Sequence, residues 1–165
     1  MKSVDESKKF RVSVSARHLH LTQETVDILF GTGHEVKPEL PTKGQFLSTT
    51  RATVVGPKKT FENVAIMGPC RNFNQFELSI TDARTLGIPA IVRMSGDIEG
   101  TPGIKIVGTK GEITLEKGVI VAKRHIHLNP VLAEELGVKD GDKVLLRVES
   151  QERSLIFDDT IARVG

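Results

Sequence analysis

The sequence contains little that would support several common classes of function. Its 165 residues include one cysteine, Cys70, so no internal disulfide can form. No apolar run reaches the roughly 18 residues of a transmembrane helix, and the polar first nine residues lack the apolar core of a signal peptide. The net charge of +2 is too small to indicate nucleic acid or an acidic membrane as a partner. We therefore expect a cytoplasmic protein in a reducing compartment, without a membrane or nucleic-acid partner.

Aromatic residues are also scarce, and their absence shapes the expected fold. There are seven phenylalanines and no tryptophan or tyrosine, whereas glycine occurs 15 times and proline seven times. Short runs of Val, Ile and Leu between Gly and Pro signals are typical of small barrels or sandwiches of short strands. Strands are predicted at Phe10–Ala16 and Phe76–Ile80, and a short helix is predicted from Thr81 to Gly87. The sequence therefore predicts a mainly β fold.

The most informative feature is a repeated motif, Arg-His-x-His-Leu, at residues 17–21 and again at residues 124–128. Each copy follows a β-type run, and residues i and i+2 of a strand face the same side. The two pairs of imidazoles that result are His18 with His20 and His125 with His127. Neutral imidazole is the commonest metal ligand among side chains. The duplication favours metal binding over ordinary strand histidines, with zinc as the first expectation, in two sites or one shared site.

The segment from Gly68 to Ser79 is the second informative region. If it forms a strand, Gln75, Glu77 and Ser79 share one face, and the Glu77 carboxylate can complete the coordination begun by the histidines. Arg71 follows a Gly-Pro turn, where a guanidinium can bind phosphate or carboxylate with two hydrogen bonds. The alternative is a solvated arginine beside an outward polar face of an edge strand. Ser95, just before Gly96, can similarly offer its hydroxyl and nearby backbone N–H groups to an anion.

Two other reactive side chains are expected to be unimportant. Cys70 is interpreted as a lone buried cysteine, and His34 as a solvated loop residue.

The repeat extends beyond the histidines, which indicates an internal duplication. Each motif is followed by a helix start, with Thr22 as the predicted N-cap in the first copy and Asn129-Pro130 in the second, and then by a short helix and a glycine. The two copies are 107 residues apart (125 minus 18). The stretch Lys59–Ile66 also resembles Ser154–Ala162. The first half continues to Arg71 and Glu77, and the second half has no counterpart of the Glu77 strand.

Together these motifs resemble the PduL-type phosphotransacylases, the phosphate propanoyltransferase family, over about residues 10–165. The resemblance rests on both Arg-His-x-His-Leu copies, on Gly68-Pro69 through Thr81-Asp82, on Arg93 with Ser95-Gly96, and on Gly118–Ala122. It implies two small β-barrels capped by short helices. The first is discontinuous, formed by residues 10–16 and 123–165, and the second is formed by residues 17–122.

The resemblance also implies site residues, cofactors and partners. His18, His20 and Glu77 match the ligands of one zinc ion, and His125 and His127 match two ligands of a second. Arg71 matches the principal phosphate-binding arginine. Further phosphate contacts are expected from Gln45, Gln75, Ser95 and Arg163. Coenzyme A and phosphate are the expected substrates, and a homodimer is the expected assembly.

The sequence departs from the family pattern in one respect. In the family, a further strand with a His-x-Asp motif supplies the third protein ligand of the second zinc, and no such motif occurs up to Gly165. We therefore expect a truncated sequence with an incomplete second metal site. Family members that enter bacterial microcompartments carry an amphipathic N-terminal extension, and the polar start of this sequence favours a free cytoplasmic enzyme.

The reaction implied is acyl-CoA plus phosphate giving acyl phosphate plus CoA, with propanoyl or acetyl as the acyl group. Two alternatives use the same residues. In a zinc-dependent hydrolase, water replaces phosphate as the acyl acceptor. In a non-enzymatic module, zinc only stabilises the barrels. Cys70 as an acyl carrier is disfavoured, because direct transfer needs no nucleophilic side chain.

Overall fold

The computed structural model describes residues 15–38 and 44–165, and these residues form a mainly β protein, as the composition predicts. Strands hold 41% of them and helices 15%. They fall into two compact units, Ala16–Lys123 and one that contains Arg124–Gly165. None of the described helices is long and apolar enough to cross a membrane. The predicted strand Phe10–Ala16 lies almost entirely outside the described residues, and Ser15 and Ala16 are not in a strand.

Unit Ala16–Lys123 is built on one eight-stranded sheet with two short helices. The elements are β1 (His18–His20), α1 (Gln23–Phe30), β2 (Phe46–Val55), β3 (Thr60–Gly68), β4 (Gln75–Glu77), α2 (Ile80–Leu86), β5 (Val92–Arg93), β6 (Ile104–Val107), β7 (Glu112–Leu115) and β8 (Val119–Ala122). The strand order is β5-β8-β4-β1-β3-β2-β6-β7, and the sheet curls into a half-barrel. The first histidine pair therefore lies on an interior strand.

The inner face of this sheet is packed with apolar side chains. Leu19, Ile66 and Phe76 are each at most 1% exposed, and they come from the adjacent strands β1, β3 and β4. Fully burying a side chain of this size stabilises the fold by about 1.5–3 kcal/mol. Because side chains alternate along a strand, placing Leu19 in the core directs His18 and His20 to the opposite face.

Helix α1 follows the histidine strand β1 and packs against the core of the sheet. Thr22 caps its first turn by accepting a hydrogen bond from the Thr25 N–H, as the sequence predicts. Gly31 ends the helix with φ +103°, a backbone conformation that favours glycine. Val26 and Leu29 are fully buried against the sheet. The helix therefore fixes the chain direction immediately after His20.

The second unit contains a smaller sheet. Its elements are β9 (His125–Leu128), α3 (Pro130–Leu136), β10 (Lys143–Val148) and β11 (Leu155–Val164), with strand order β10-β11-β9. Its buried apolar residues within the described chain are Leu128, Ala133 and Ala162. Leu145 is 73% exposed. This unit consequently buries far less apolar surface than the first.

The two units repeat the same local architecture around their histidines. Strand β1 pairs in parallel with β3, and β9 pairs in parallel with β11. Each histidine strand leads into a short helix whose first turn is capped by a side chain, Thr22 or Asn129. Arg17 lies 4.0 Å above the ring of Phe61, and Arg124 lies 4.7 Å above the ring of Phe157. The arginines of the two motif copies thus make equivalent cation–π contacts.

Two sequence-based boundaries in the Glu77 region are wrong. The predicted strand Phe76–Ile80 ends at Glu77, and helix α2 begins at Ile80. The N-cap is Ser79, not Thr81, because Ser79 and Asp82 form a reciprocal capping box. The Ser79 side chain consequently binds the helix and does not share the face of Gln75 and Glu77.

Candidate metal centre

His18 and His20 form a tight pair on the outer face of the sheet. Their ring centroids are 4.9 Å apart with the rings edge to face, and their Nε2 atoms are 3.2 Å apart. Only 6% of His18 and 2% of His20 is exposed. The Nδ1 atom of His18 lies 2.9 Å from the carbonyl oxygen of Ala16. A carbonyl only accepts, so Nδ1 is the donor in this contact and Nε2 is the nitrogen left available to a metal.

Glu77 completes a three-residue group. Strand β4 runs antiparallel to β1 with Glu77 opposite His18. One carboxylate oxygen lies 3.6 Å from Nε2 of His18 and the other lies 3.6 Å from Nε2 of His20. The three ligand atoms lie within 4.8 Å of one another, and all three residues are buried. Two imidazoles and a carboxylate at this spacing form a candidate metal-binding group.

The protonation states of His20 and Glu77 favour the binding of a cation. Burial lowers the pKa of His20, so its ring is neutral near pH 7. Burial by itself raises the pKa of Glu77, but the hydrogen bond with His20, the charge of His18 and the hydrogen bond from Ser95 outweigh it and lower that pKa to about 2. Glu77 is therefore ionised at neutral pH. Nδ1 of His20 is buried without a hydrogen-bond partner among the described residues, so the polar contacts of this ring are made through Nε2.

A compact hydrogen-bond network holds the Glu77 carboxylate. The Gln75 side-chain amide donates to Oε1 of Glu77 at 2.6 Å and to the Ser95 hydroxyl at 2.9 Å. The Gly96 N–H donates to Oε1 of Gln75 at 2.7 Å, and the Ser95 hydroxyl donates to Oε1 of Glu77 at 2.9 Å. Gln75 is fully buried on an interior strand, so the outward face of an edge strand is excluded for it.

Arg71 joins the same network. Its Nη1 donates to the Ser95 hydroxyl at 3.2 Å, and its guanidinium lies 5.6 Å from the centre of the Phe73 ring. Its backbone N–H donates to the carbonyl of Leu21 at 2.9 Å, which ties the turn after Pro69 to the end of β1. Ser95 therefore makes direct contact with both the candidate phosphate arginine and the candidate metal carboxylate.

The remaining predicted phosphate contacts occupy other positions. Gln45 is exposed, one residue before β2. Arg163 is half-buried on β11, where it is paired with His127 of β9. Within unit Ala16–Lys123 the structure thus brings together six predicted site residues, namely His18, His20, Arg71, Gln75, Glu77 and Ser95. The roles predicted for Gln45 and Arg163 stay predictions.

The second histidine pair repeats the geometry of the first with less burial. The rings of His125 and His127 are 5.1 Å apart at 83°. His125 is half-buried and His127 is exposed. Among the residues that the structure describes, no third His, Cys, Asp or Glu joins this pair into a group like that of Glu77.

One residue that organises the site was missed by sequence reasoning. Asn74 accepts a hydrogen bond from the Thr22 N–H at 2.9 Å and donates to the Thr25 hydroxyl at 2.8 Å. It thereby joins the start of β4 to the chain just after His20. The neighbouring Gly118 has φ +118°, and a Cβ there would lie 2.6 Å from the Asn74 carbonyl oxygen. The sequence feature that could have pointed to Asn74 is its position directly before Gln75.

His34 and Cys70, for which the sequence predicts no function, make side-chain hydrogen bonds that the sequence does not predict. His34 is half-buried rather than fully solvated: its Nε2 lies 3.1 Å from the Thr50 hydroxyl, and its ring is 5.1 Å from that of Phe30. Cys70 is half-buried and its thiol donates to Oε1 of Gln23 at 3.5 Å. Burial, with the charge of Asp27, raises the Cys70 pKa, so this thiol is a weak nucleophile at neutral pH.

This mainly β chain thus holds a candidate metal-binding group of two imidazoles and a carboxylate, and an arginine is joined to that group by hydrogen bonds. A family model described as phosphate propanoyltransferase matches residues 11–165. The phosphate propanoyltransferase of Thermotoga maritima is 53% identical over 155 residues, which cover 93% of this chain and 74% of that protein. That of Leptotrichia buccalis is 50% identical over 163 residues, covering 97% and 76%. The chain belongs to the phosphate propanoyltransferase family, a family of acyltransferases.

Proposed function

We propose that the protein transfers a short acyl group, propanoyl or acetyl, between coenzyme A and inorganic phosphate. The observation that carries the proposal is the network in which the Ser95 hydroxyl contacts both Glu77, at 2.9 Å, and Arg71, at 3.2 Å. A group suited to a metal and a group suited to an oxyanion are thereby held side by side. The family name of the relatives supplies the substrate class.

Zinc is the proposed cofactor, with His18, His20 and Glu77 as the ligands of one ion. The fit rests on two imidazole nitrogens 3.2 Å apart beside a carboxylate that is ionised at neutral pH. Zinc bound there would supply positive charge that favours the CoA thiolate and polarises the thioester carbonyl. Gln75 and Ser95 would hold the Glu77 carboxylate in place, as the partners of metal ligands commonly do.

A second zinc ion is proposed at His125 and His127, giving two per chain. Zinc content per chain after dialysis tests this: two ions per chain are expected, and a single ion per chain would contradict the second site.

Arg71 is the proposed phosphate-binding residue, with Gln45, Gln75, Ser95 and Arg163 as further phosphate contacts. In the forward direction a phosphate oxygen attacks the thioester carbonyl, the C–O bond forms, and the C–S bond breaks. CoA leaves as the thiolate, and the acyl group leaves on phosphate. The guanidinium of Arg71 offsets the negative charge that the two anionic reactants bring together. No acyl-enzyme is needed, which agrees with the raised pKa of Cys70.

The proposal also covers the domain organisation, the assembly and the location of the protein. We propose that the two units are β-barrels that arose by duplication, one formed by residues 10–16 and 123–165 and the other by residues 17–122. The matching parallel strand pairs and the paired Arg–Phe contacts support this. A homodimer and a cytoplasmic location complete the proposal.

The experiment is the release of CoA thiol from propanoyl-CoA, with zinc supplied, in the presence and absence of phosphate. We expect release that requires phosphate, and we expect His20→Ala to abolish it. His34→Ala is the matched control, because His34 is a half-buried histidine of the same unit that bonds to Thr50 outside the metal group. Release that is independent of phosphate would indicate the hydrolase instead.

A further inference from the structure

The sheet face that carries the histidines continues onto two more strands. Ala65 of β3 is paired with His18 of β1, and Arg51 of β2 is paired with Ala65. Residues paired in this way point to the same side of a sheet. Because β1 and β3 run parallel, Met67 comes level with His20 one step further along, and Leu47 of β2 is paired with Met67.

This continuation is apolar and open to solvent. Leu47 is 43% exposed, and Ala65 and Met67 are half-buried. The three residues form what we call the Leu47–Met67 strip. Strands lie about 4.8 Å apart, so Met67 is about 5 Å from the histidine strand and Leu47 about 10 Å.

The strip lies on one side of the metal group, and the candidate phosphate residues lie on the other. β3 and β2 flank β1 on one edge, whereas Glu77 belongs to β4 on the opposite edge. Ser95 and Arg71 make contact through Glu77 and Gln75, on that β4 side. A thioester carbonyl at the metal group would therefore have phosphate on the β4 side and an apolar surface on the β3 side.

Arg51 limits the direction in which an apolar group can extend. Its guanidinium donates to the carbonyl oxygens of Ser48 and Thr50, so it is held against its own strand at the Ala65 end of the strip. The apolar path from the histidines consequently runs over Met67 first and reaches Leu47 second.

We propose that the Leu47–Met67 strip binds the acyl chain of the acyl-CoA and sets the preference for chain length. The inference rests on the proposed function. The first methylene groups of the chain contact Met67, and longer chains also contact Leu47. Burying one methylene group changes an equilibrium about fourfold, so each contact contributes a factor of that size.

The test measures kcat/KM of the zinc-loaded protein for acetyl-, propanoyl- and butanoyl-CoA. We expect Met67→Ser to lower the ratio of propanoyl to acetyl about fourfold, and Leu47→Ser to lower mainly the ratio of butanoyl to propanoyl. A ratio between substrates is unaffected by a loss of folded protein. Ile80→Ser is the matched control, because Ile80 is 46% exposed in the same unit, at the start of α2.

The possible outcomes distinguish the role of the strip from the acyl-transfer activity itself. Unchanged ratios in both variants, with an active parent protein, would overturn the proposed role of the strip in binding the acyl chain and leave the proposed function intact. An equal rise in KM for all three substrates, and for free CoA in the reverse direction, would assign the strip to the pantetheine arm instead and also overturn the proposal. A parent protein without phosphate-dependent transfer would overturn both.

Discussion

Replacing Ser95 by alanine tests whether the network around Glu77 tunes the metal group. The hydroxyl donates to Oε1 of Glu77 at 2.9 Å and accepts from Gln75 at 2.9 Å and from Arg71 at 3.2 Å. Ser95→Ala removes all three bonds and leaves the ionised carboxylate with one fewer donor. The change is small in volume, so the effect should be electrostatic and positional.

The expected loss of zinc affinity follows from the strength of the lost hydrogen bond to Glu77. A hydrogen bond to a charged group is worth about 1.5–3 kcal/mol, which corresponds to about 10- to 150-fold in a binding constant. Loss of a residue that supports a metal ligand typically lowers metal affinity by about 10- to 100-fold. The two estimates agree, and we expect zinc affinity to fall by about 10- to 100-fold in Ser95→Ala. The KM for phosphate should rise as well, because Arg71 loses a contact.

The assay is competition for zinc against a chromophoric chelator of known affinity, with phosphate kinetics on the same samples. Ser79→Ala is the matched control: it removes the N-cap of α2, which typically costs about 1 kcal/mol of stability, without touching Glu77. If Ser95→Ala binds zinc as tightly as the parent protein, the network does not support the metal group and the reasoning is refuted.

Three further predictions follow from the same contacts. Arg71→Ala should raise the KM for phosphate at least about tenfold and the KM for CoA much less, because it removes a charged contact; steady-state kinetics check this, and equal rises would contradict it. Asn74→Ala leaves the Thr22 N–H and the Thr25 hydroxyl without their partner, so the free energy of unfolding in urea should fall by about 1–3 kcal/mol; no change would contradict it. Because burial raises its pKa, Cys70 should react with iodoacetamide more slowly than free cysteine near pH 8 and speed up only as pH rises further; a faster reaction would contradict this.

The sequence predicts the histidine face well because strand alternation is a strong local rule. Leu19 between two histidines is apolar, and its burial in the core leaves His18 and His20 on the opposite face. The helix caps at Thr22 and Asn129 are similarly local, and both were predicted. Local periodicity and capping residues thus account for the parts of the fold that the sequence alone predicts.

The errors arise where long-range packing or a competing local bond decides. The β-type run from Phe76 predicts a strand through Ile80, but the Ser79–Asp82 capping box ends the strand at Glu77 and starts a helix. Gln75 by itself resembles an outward polar residue, and only the neighbours of β4 in the sheet bury it. The link from Ser95 to Glu77 spans 18 residues of sequence and has no local signature. Such contacts depend on topology, which periodicity does not reveal.

The duplicated motif shows how equal sequences come to differ in their surroundings. Both histidine pairs have nearly the same ring geometry, with centroids 4.9 and 5.1 Å apart. The first pair is buried beside Glu77, whereas His127 is exposed and the second pair belongs to no three-residue ligand group among the described residues. The motif therefore specifies the pair, and the neighbouring strand specifies whether the pair becomes a three-residue group.

The central claim is that phosphate, and not water, accepts the acyl group at this site. The most direct measurement incubates propanoyl-CoA, zinc and phosphate with the protein and traps acyl phosphate with hydroxylamine, while the CoA thiol is counted in the same reaction. The account predicts one acyl phosphate for each CoA released, and neither product when phosphate is omitted. CoA release with free propanoate and no acyl phosphate would contradict the account and identify a hydrolase.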